Sequence, residues 1–156
     1  MRNNKQLNQT KTTQKDSATT TPKEQTSSVS PTPVTDVMGA VGSVTGKLCY
    51  PSEQIPPLTV YLQNVATNEV NQQTLPLNTG TYLFSNVTPG KYRAFAYLQG
   101  DNATGGSYSA AVPCGLTVAC TDHKAIEFDV SANVPVTGID ICDWYSPEDV
   151  PTKPVI

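Results

Sequence analysis

The feature that most constrains this chain is a series of short segments in which apolar and polar residues alternate, each closed by Pro, Gly or Asn. No stretch after residue 37 sustains the 3.6-residue period of an amphipathic helix. "VGSVTGKLCY" (41–50) reads as a first strand, with Val44 and Leu48 on one face. "PPLTVYLQNV" (56–65) sets Leu58, Val60 and Leu62 against Thr59, Tyr61 and Gln63. "NEVNQQTLPL" (68–77) is polar enough for an edge strand, and "TYLFSNV" (81–87) follows it. "KYRAFAYLQ" (91–99) keeps Tyr92, Ala94, Ala96 and Leu98 in phase. "SYSAAV" (107–112) is a short sixth strand. "KAIEFDVS" (124–131) alternates Ile126, Phe128 and Val130 with Glu127 and Asp129, and "VTGIDICDWY" (136–145) places Ile139 and Ile141 inward. Seven or eight short strands with polar turns, and no strand–helix–strand rhythm, predict an all-β antiparallel two-sheet sandwich.

Composition divides the chain. Residues 1–36 contain no aromatic residue, Cys or Gly, and Thr, Ser, Asn, Gln and Lys dominate them. Such a segment cannot bury enough apolar surface to offset chain entropy. Residues 1–37 therefore read as a disordered Thr/Ser/Pro-rich spacer, 38–145 as the folded unit, and 146–156 as a Pro-rich, extended and loosely held end. Charge divides in the same place. Residues 1–36 carry five basic and three acidic side chains, and residues 37–156 five basic and ten acidic, so that remainder is at −5. An acidic domain is a poor partner for nucleic acid, whose phosphates call for clustered Lys and Arg. No run of 18 apolar residues is present, so the sequence predicts no membrane span.

The four cysteines permit three pairings. Cys114 and Cys120 enclose only "GLTVA", which suits a loop staple. Cys49 and Cys142 lie in the first and last strands, each out of phase with its apolar neighbours, Leu48 and Ile141. The predicted bonds are Cys49–Cys142 and Cys114–Cys120. In the chain-entropy account the long closure contributes about 4–5 kcal/mol and the short one about 2 kcal/mol. Disulfides in a small β domain imply an oxidising compartment, extracellular or at the cell envelope. "MRNNKQLNQTKTTQ" opens basic with no apolar core behind it, which places any export signal upstream of Met1. The competing reading is reduced thiols in a cytosol.

"Y82-L-F84-S-N-V87-T-P89-G90-K-Y92" resembles the hairpin signature of carboxypeptidase regulatory-like domains, the transthyretin-like or prealbumin-like sandwiches. On this reading Pro89 fixes φ at the turn, Gly90 supplies a positive φ and the aromatics cap the core. "V44-T-G46-K-L" followed by "L58-T-V60-Y" fits the same family, and the resemblance covers about residues 42–142. It implies a Greek-key, prealbumin-like sandwich and a non-catalytic accessory module. Carbohydrate binding is an expectation at the level of the fold group, and fold alone does not fix function.

Several groups could carry chemistry. Zinc held by Cys114, Cys120 and His123 has the wrong spacing, since zinc pairs stand two to four apart and need a second pair. A Cys nucleophile with His123 as base lacks an orienting acid, and a sulfur in a disulfide cannot attack. His123 reads as a surface residue in the turn "TDHK". Lys47 with Asp140 or Asp143 could form an isopeptide crosslink, but Lys47 is out of phase with the core. The carboxylates of "EFDV" and "GIDICDWY" read as solvated, with no loop of calcium-binding pattern. Tyr61, Phe95 and Tyr97 lie on the polar phase of their strands, and Trp144 shares the phase of Cys142. If exposed, these four rings are the candidate ligand-binding residues, with "QGDNATGGS" (99–107) as a flexible rim. The alternative is that loops cover them. Asn8, Asn86 and Asn102 head glycosylation sequons, which matter only in a glycosylating host.

The sequence thus predicts no catalytic residue, metal or cofactor. It predicts an exported accessory domain with a structural or recognition role. A carbohydrate-binding module and a regulatory or stabilising subunit of an envelope peptidase are the alternatives, and glycan or another envelope protein the candidate partners. A hydrolase would need a carboxylate pair in a cleft.

Overall fold

The computed structural model describes residues 39–155. The spacer assigned to residues 1–37, with Asn8, lies outside them. The order of elements is β1 (Gly42–Lys47), β2 (Leu58–Asn64), β3 (Val70–Leu75), β4 (Thr81–Val87), β5 (Gly90–Leu98), β6 (Gly105–Ser107), α1 (Ala111–Cys114), β7 (Phe128–Val130) and β8 (Pro135–Val136). A 3-10 turn, Pro147–Asp149, follows. Two sheets face each other. One is ordered β4-β1-β8, and the other β3-β2-β5-β6, with β7 also paired to β5.

Alternation decides what lies between the sheets. Val44 and Leu48 of the first strand, Leu58, Val60 and Leu62 of β2, and Tyr92, Ala94 and Ala96 of β5 are all buried there. Tyr82, Phe84 and Val87 of β4 join them. Each Val, Leu or Phe side chain among them contributes about 1.5–3 kcal/mol when fully buried, which makes this layer the main source of stability. β3 takes the edge position that its polarity suggested.

Four local expectations are corrected. The segment 107–112 does not form a strand. Ser107 closes β6, and the one-turn helix α1 begins at Ala111. The segment 81–92 is not a hairpin, because β4 and β5 belong to different sheets and the chain crosses between them at Thr88–Pro89. Gly90 has no positive φ; the positive angle belongs to Asn86, at 59°. Gly90 is small for another reason: a Cβ there would meet the Asn64 side-chain amide at 2.8 Å. The Tyr92 hydroxyl donates back to the Thr88 carbonyl at 2.8 Å and so ties the crossing to the strand it opens.

The last strand is the fourth correction. β8 pairs with β1 in parallel rather than antiparallel sense. It is also interrupted, because Gly138 at φ 76° turns the chain out of extended geometry. The ladder then resumes: Ile139 N–H donates to Thr45, Ile141 N–H to Lys47, and Cys49 N–H to Ile141. The Ile139 carbonyl passes so close to Gly46 that a Cβ there would lie 1.9 Å from its oxygen. Tyr82, from β4, donates its hydroxyl to the same carbonyl at 2.6 Å.

Burial holds the Tyr82 hydroxyl well above the usual tyrosine range, and the nearby Asp140 and Tyr108 push it the same way. Burial also raises Tyr61 and Tyr97. A phenol that resists ionisation in the fold, but ionises freely in the unfolded chain, stabilises the fold fully below pH ~10; that stability is lost as pH rises further. The urea midpoint should therefore fall steeply above pH ~10 in the native protein and less steeply in Tyr82→Phe. Parallel alkaline limbs would contradict the assignment.

Candidate functional site

The four aromatic candidates do not share an exposed face. Tyr61, Phe95 and Tyr97 do lie on the outer side of the five-stranded sheet, as their phase dictates, yet they are 3%, 0% and 5% exposed. Tyr61 and Phe95 are direct cross-strand partners with ring centroids 5.4 Å apart, and Tyr97 packs edge-on against both. The cover is the C-terminal end. Val150 is buried among the three rings. The Tyr97 hydroxyl donates to the Pro151 carbonyl at 3.1 Å. Lys153 sets its ammonium 5.8 Å from the centre of the Tyr97 ring and donates to the Asp101 carbonyl and Asn102 Oδ1.

The Pro-rich end is thus extended, as its prolines require, but it is not loose. Prolines forfeit ladder hydrogen bonds, and this segment is held instead by a buried Val and by accepting and donating groups at its margins. The rim 99–107 is likewise pinned, by Leu98 N–H to Thr104, by Ala103 N–H to Asp101 Oδ1, and by Lys153. Trp144 stands apart from the three rings. Its indole N–H donates to the Cys49 carbonyl at 2.6 Å, its ring meets Tyr50 edge-on at 5.0 Å, and it lies flat where a side chain at Gly106 would be.

The cysteines pair as Cys49–Cys142 and Cys114–Cys120. The parallel register accounts for the first: Leu48 and Ile141 are bridged, and the cysteines are the next residue in each strand, Cα atoms 4.5 Å apart. The second closes the loop that follows α1, with Cα atoms 5.8 Å apart.

Beside that loop lies a polar cluster that corrects two expectations. Asp143 is not solvated but 3% exposed, and His123 is not a free turn residue. His123 Nδ1 lies 2.7 Å from Asp143 Oδ2, and the Ser109 hydroxyl donates to the same oxygen at 2.5 Å. Asp143 Oδ1 accepts the Tyr145 N–H at 3.2 Å. Ser109 is itself fully buried and accepts the Ala111 N–H, at the start of α1. The Asp143 and Ser107 backbones exchange N–H···O bonds in both directions.

This set contains Ser, His and Asp, but not in catalytic order. The carboxylate stands in the middle, and Ser109 is bonded to it rather than to His123, so the imidazole has no hold on the hydroxyl proton. The arrangement is a clamp joining the end of β6, the start of α1, the His123 segment and the last strand. A signal for it was present in the sequence: Asp143 is in phase with Ile139 and Ile141, so the strand that buries those residues buries it too. Ser109 carried no such signal.

His123 also forms part of the wall of a surface cleft of about 460 Å³, together with Leu116, Val118, Cys120 and Tyr145. Val118 is fully exposed and Tyr145 is 64% exposed at its mouth. Among the described residues no three His, Cys, Asp or Glu side chains converge as metal ligands would. Lys47 is exposed, and it is its backbone N–H that reaches Asp140. Asn86 and Asn102 are exposed. No helix among the described residues is long and apolar enough to cross a membrane.

No family model matches the chain, and no curated protein matches it. Among solved structures, a leucine-rich repeat protein from Bacteroides thetaiotaomicron is similar at 14% identity and a TM-score of 0.37. That match covers 66% of this chain and 14% of the other, and a likeness of this size bears on neither fold nor function.

Deleting residues 147–156 should uncover Tyr61, Phe95 and Tyr97. The truncated protein should bind the dye ANS and lose about 2–4 kcal/mol of stability, read from urea unfolding. Unchanged stability without dye binding would show that the segment is not the cover of this face.

Proposed function

We propose that this chain is a non-enzymatic recognition domain of an exported or cell-envelope protein, of the carboxypeptidase regulatory-like class. The family reading rests on the packing of the residues that suggested it, without the hairpin and the positive φ at Gly90 that the signature implied. Val44, Tyr82, Phe84, Val87 and Tyr92 are core residues, Gly46 stands where the Ile139 backbone leaves no room for a side chain, and Gly90 stands close against the Asn64 amide. The observation that carries the functional reading is the stapled loop. One of the two disulfides stabilises a seven-residue surface segment, Cys114 to Cys120, rather than the core. That segment holds an apolar cleft open to solvent beside Val118 and Tyr145. A rigid loop presenting apolar groups is suited to recognition, because little ordering entropy is lost when a partner arrives.

The nature of the partner follows from the aromatic faces. Sugar stacking needs exposed rings, and three of the four rings proposed for it are buried under the C-terminal segment. The cleft, where Leu116 and Val118 stand beside Thr117, Thr121 and Tyr145, suits a protein surface better, and a regulatory or stabilising subunit of an envelope peptidase is one form such a pairing takes. A photo-crosslinking residue at Val118 should capture an envelope protein in the native host, and Tyr145→Ala should reduce the yield several-fold. Intact mass under non-reducing conditions should be lower by two hydrogens for each of the two disulfides. Four free thiols would overturn the export reading. Binding on a glycan array that Tyr145→Ala abolishes would replace the protein partner with a carbohydrate.

A further inference from the structure

The stapled loop holds a disfavoured backbone conformation. Leu116, in the cleft wall, sits at φ 53°, in the left-handed region that a bulky side chain avoids. Gly115 before it, at φ 104°, suits that region because it has no Cβ. A conformation such as that of Leu116 persists only where its surroundings impose it. Two constraints do so here. The Leu116 N–H donates to the Ala111 carbonyl at 2.9 Å, and the Cys114–Cys120 bond closes the loop around it.

The two disulfides differ in what would keep their sulfurs together after reduction. Access does not separate them, since Cys49 and Cys114 are exposed and Cys142 and Cys120 are buried. Cys49 and Cys142 follow the bridged pair Leu48 and Ile141, and the Cys49 N–H donates to the Ile141 carbonyl. Strand pairing would therefore hold those two thiols side by side, ready to close again. No pairing joins Cys114 to Cys120, and the Cys120 N–H donates within the loop, to Thr117. Once reduced, this loop can leave the left-handed conformation at Leu116, and its thiols part. Thiols that part have a low effective concentration for each other, so their disulfide is the more readily reduced.

We propose that Cys114–Cys120 is a redox switch of the cleft, and that Cys114 is the sulfur a thiol attacks. Cys120 is 6% exposed and lies in the cleft wall, with its Sγ 3.3 Å from the Thr117 hydroxyl. An incoming thiolate bonds to Cys114 Sγ and the S–S bond breaks. The electron pair leaves on Cys120 Sγ, where the Thr117 hydroxyl donates to it and solvent supplies a proton. A second thiol then attacks the mixed disulfide and frees Cys114. Two thiols are oxidised to a disulfide as this disulfide is reduced to two thiols. Leu116, Thr117 and Cys120 all line the cleft, so its wall rearranges when the staple opens. The consequence for partner binding rests on the recognition reading above; the exchange and the rearrangement do not.

Graded dithiothreitol on the native full chain, followed by alkylation of free thiols and peptide mass mapping, tests the switch. Cys114 and Cys120 should be labelled at about a tenfold lower reductant concentration than Cys49 and Cys142. Glutathione should leave its adduct on Cys114, with Cys120 free for alkylation. At the dithiothreitol concentration that opens the loop alone, amide hydrogen exchange should quicken several-fold across residues 115–121 and stay unchanged in β2 and β5. Both disulfides opening together, an adduct on Cys120 instead, or an opened loop with unchanged exchange would each overturn the inference. None of these readouts needs a partner, so they stand whether or not Val118 captures an envelope protein.

Discussion

One buried carboxylate organises the end of the domain that meets solvent chemistry. Asp143 is 3% exposed, yet it accepts from Ser109, His123 and the Tyr145 backbone, while its own backbone is bridged to Ser107. A carboxylate taken out of water is tolerated only when its oxygens are supplied with donors. Here the donors come from segments far apart in the chain, so supplying them also fixes where those segments lie. The arrangement joins the stapled loop and α1 to the last strand, beside the backbone bonds by which Tyr108 and Ala110 already tie that region to β5 and to residues 124–126.

The second constraint is the parallel return of the last strand. A parallel neighbour requires a long connection, and here nearly the whole domain serves as one. The return brings Ile139 and Ile141 into the core, Asp143 under the loop, and Cys142 beside Cys49. Gly138 and Gly46 permit it, one by its backbone angle and the other by its missing side chain. The long disulfide therefore locks a path already defined by packing and hydrogen bonds.

Much of this was legible in the sequence, because period-two patterning reports directly on which side chains share a face. The core positions of β2 and β5, the edge character of β3 and the Cys49–Cys142 bond could be read that way, while Cys114–Cys120 could be read from its short span. Patterning does not report what lies over a face. Tyr61, Phe95 and Tyr97 occupy the outer phase, as read, but the segment that covers them lies some fifty residues further along and makes no ladder. A warning was available in "AFAY", where both phases of β5 are apolar, as expected for a strand covered on both sides. Sheet membership was equally hidden: the Pro-Gly step between β4 and β5 reads as a tight turn, and only the pairing of β4 with β1 reveals a crossing. For Asp143 the phase pointed inward, but the habit of placing carboxylates in water prevailed. Its partners Ser109 and His123 could not be paired from one chain alone, since their meeting depends on the path of α1.

The most direct test is a double-mutant cycle of Ser109→Ala and His123→Ala, followed by urea unfolding. If both side chains serve one buried carboxylate, each substitution should cost about 1–2 kcal/mol. The two should also be coupled by ~0.5–3 kcal/mol. Effects that add to within about 0.3 kcal/mol would mean that Ser109 and His123 act independently, and would contradict the role given to Asp143.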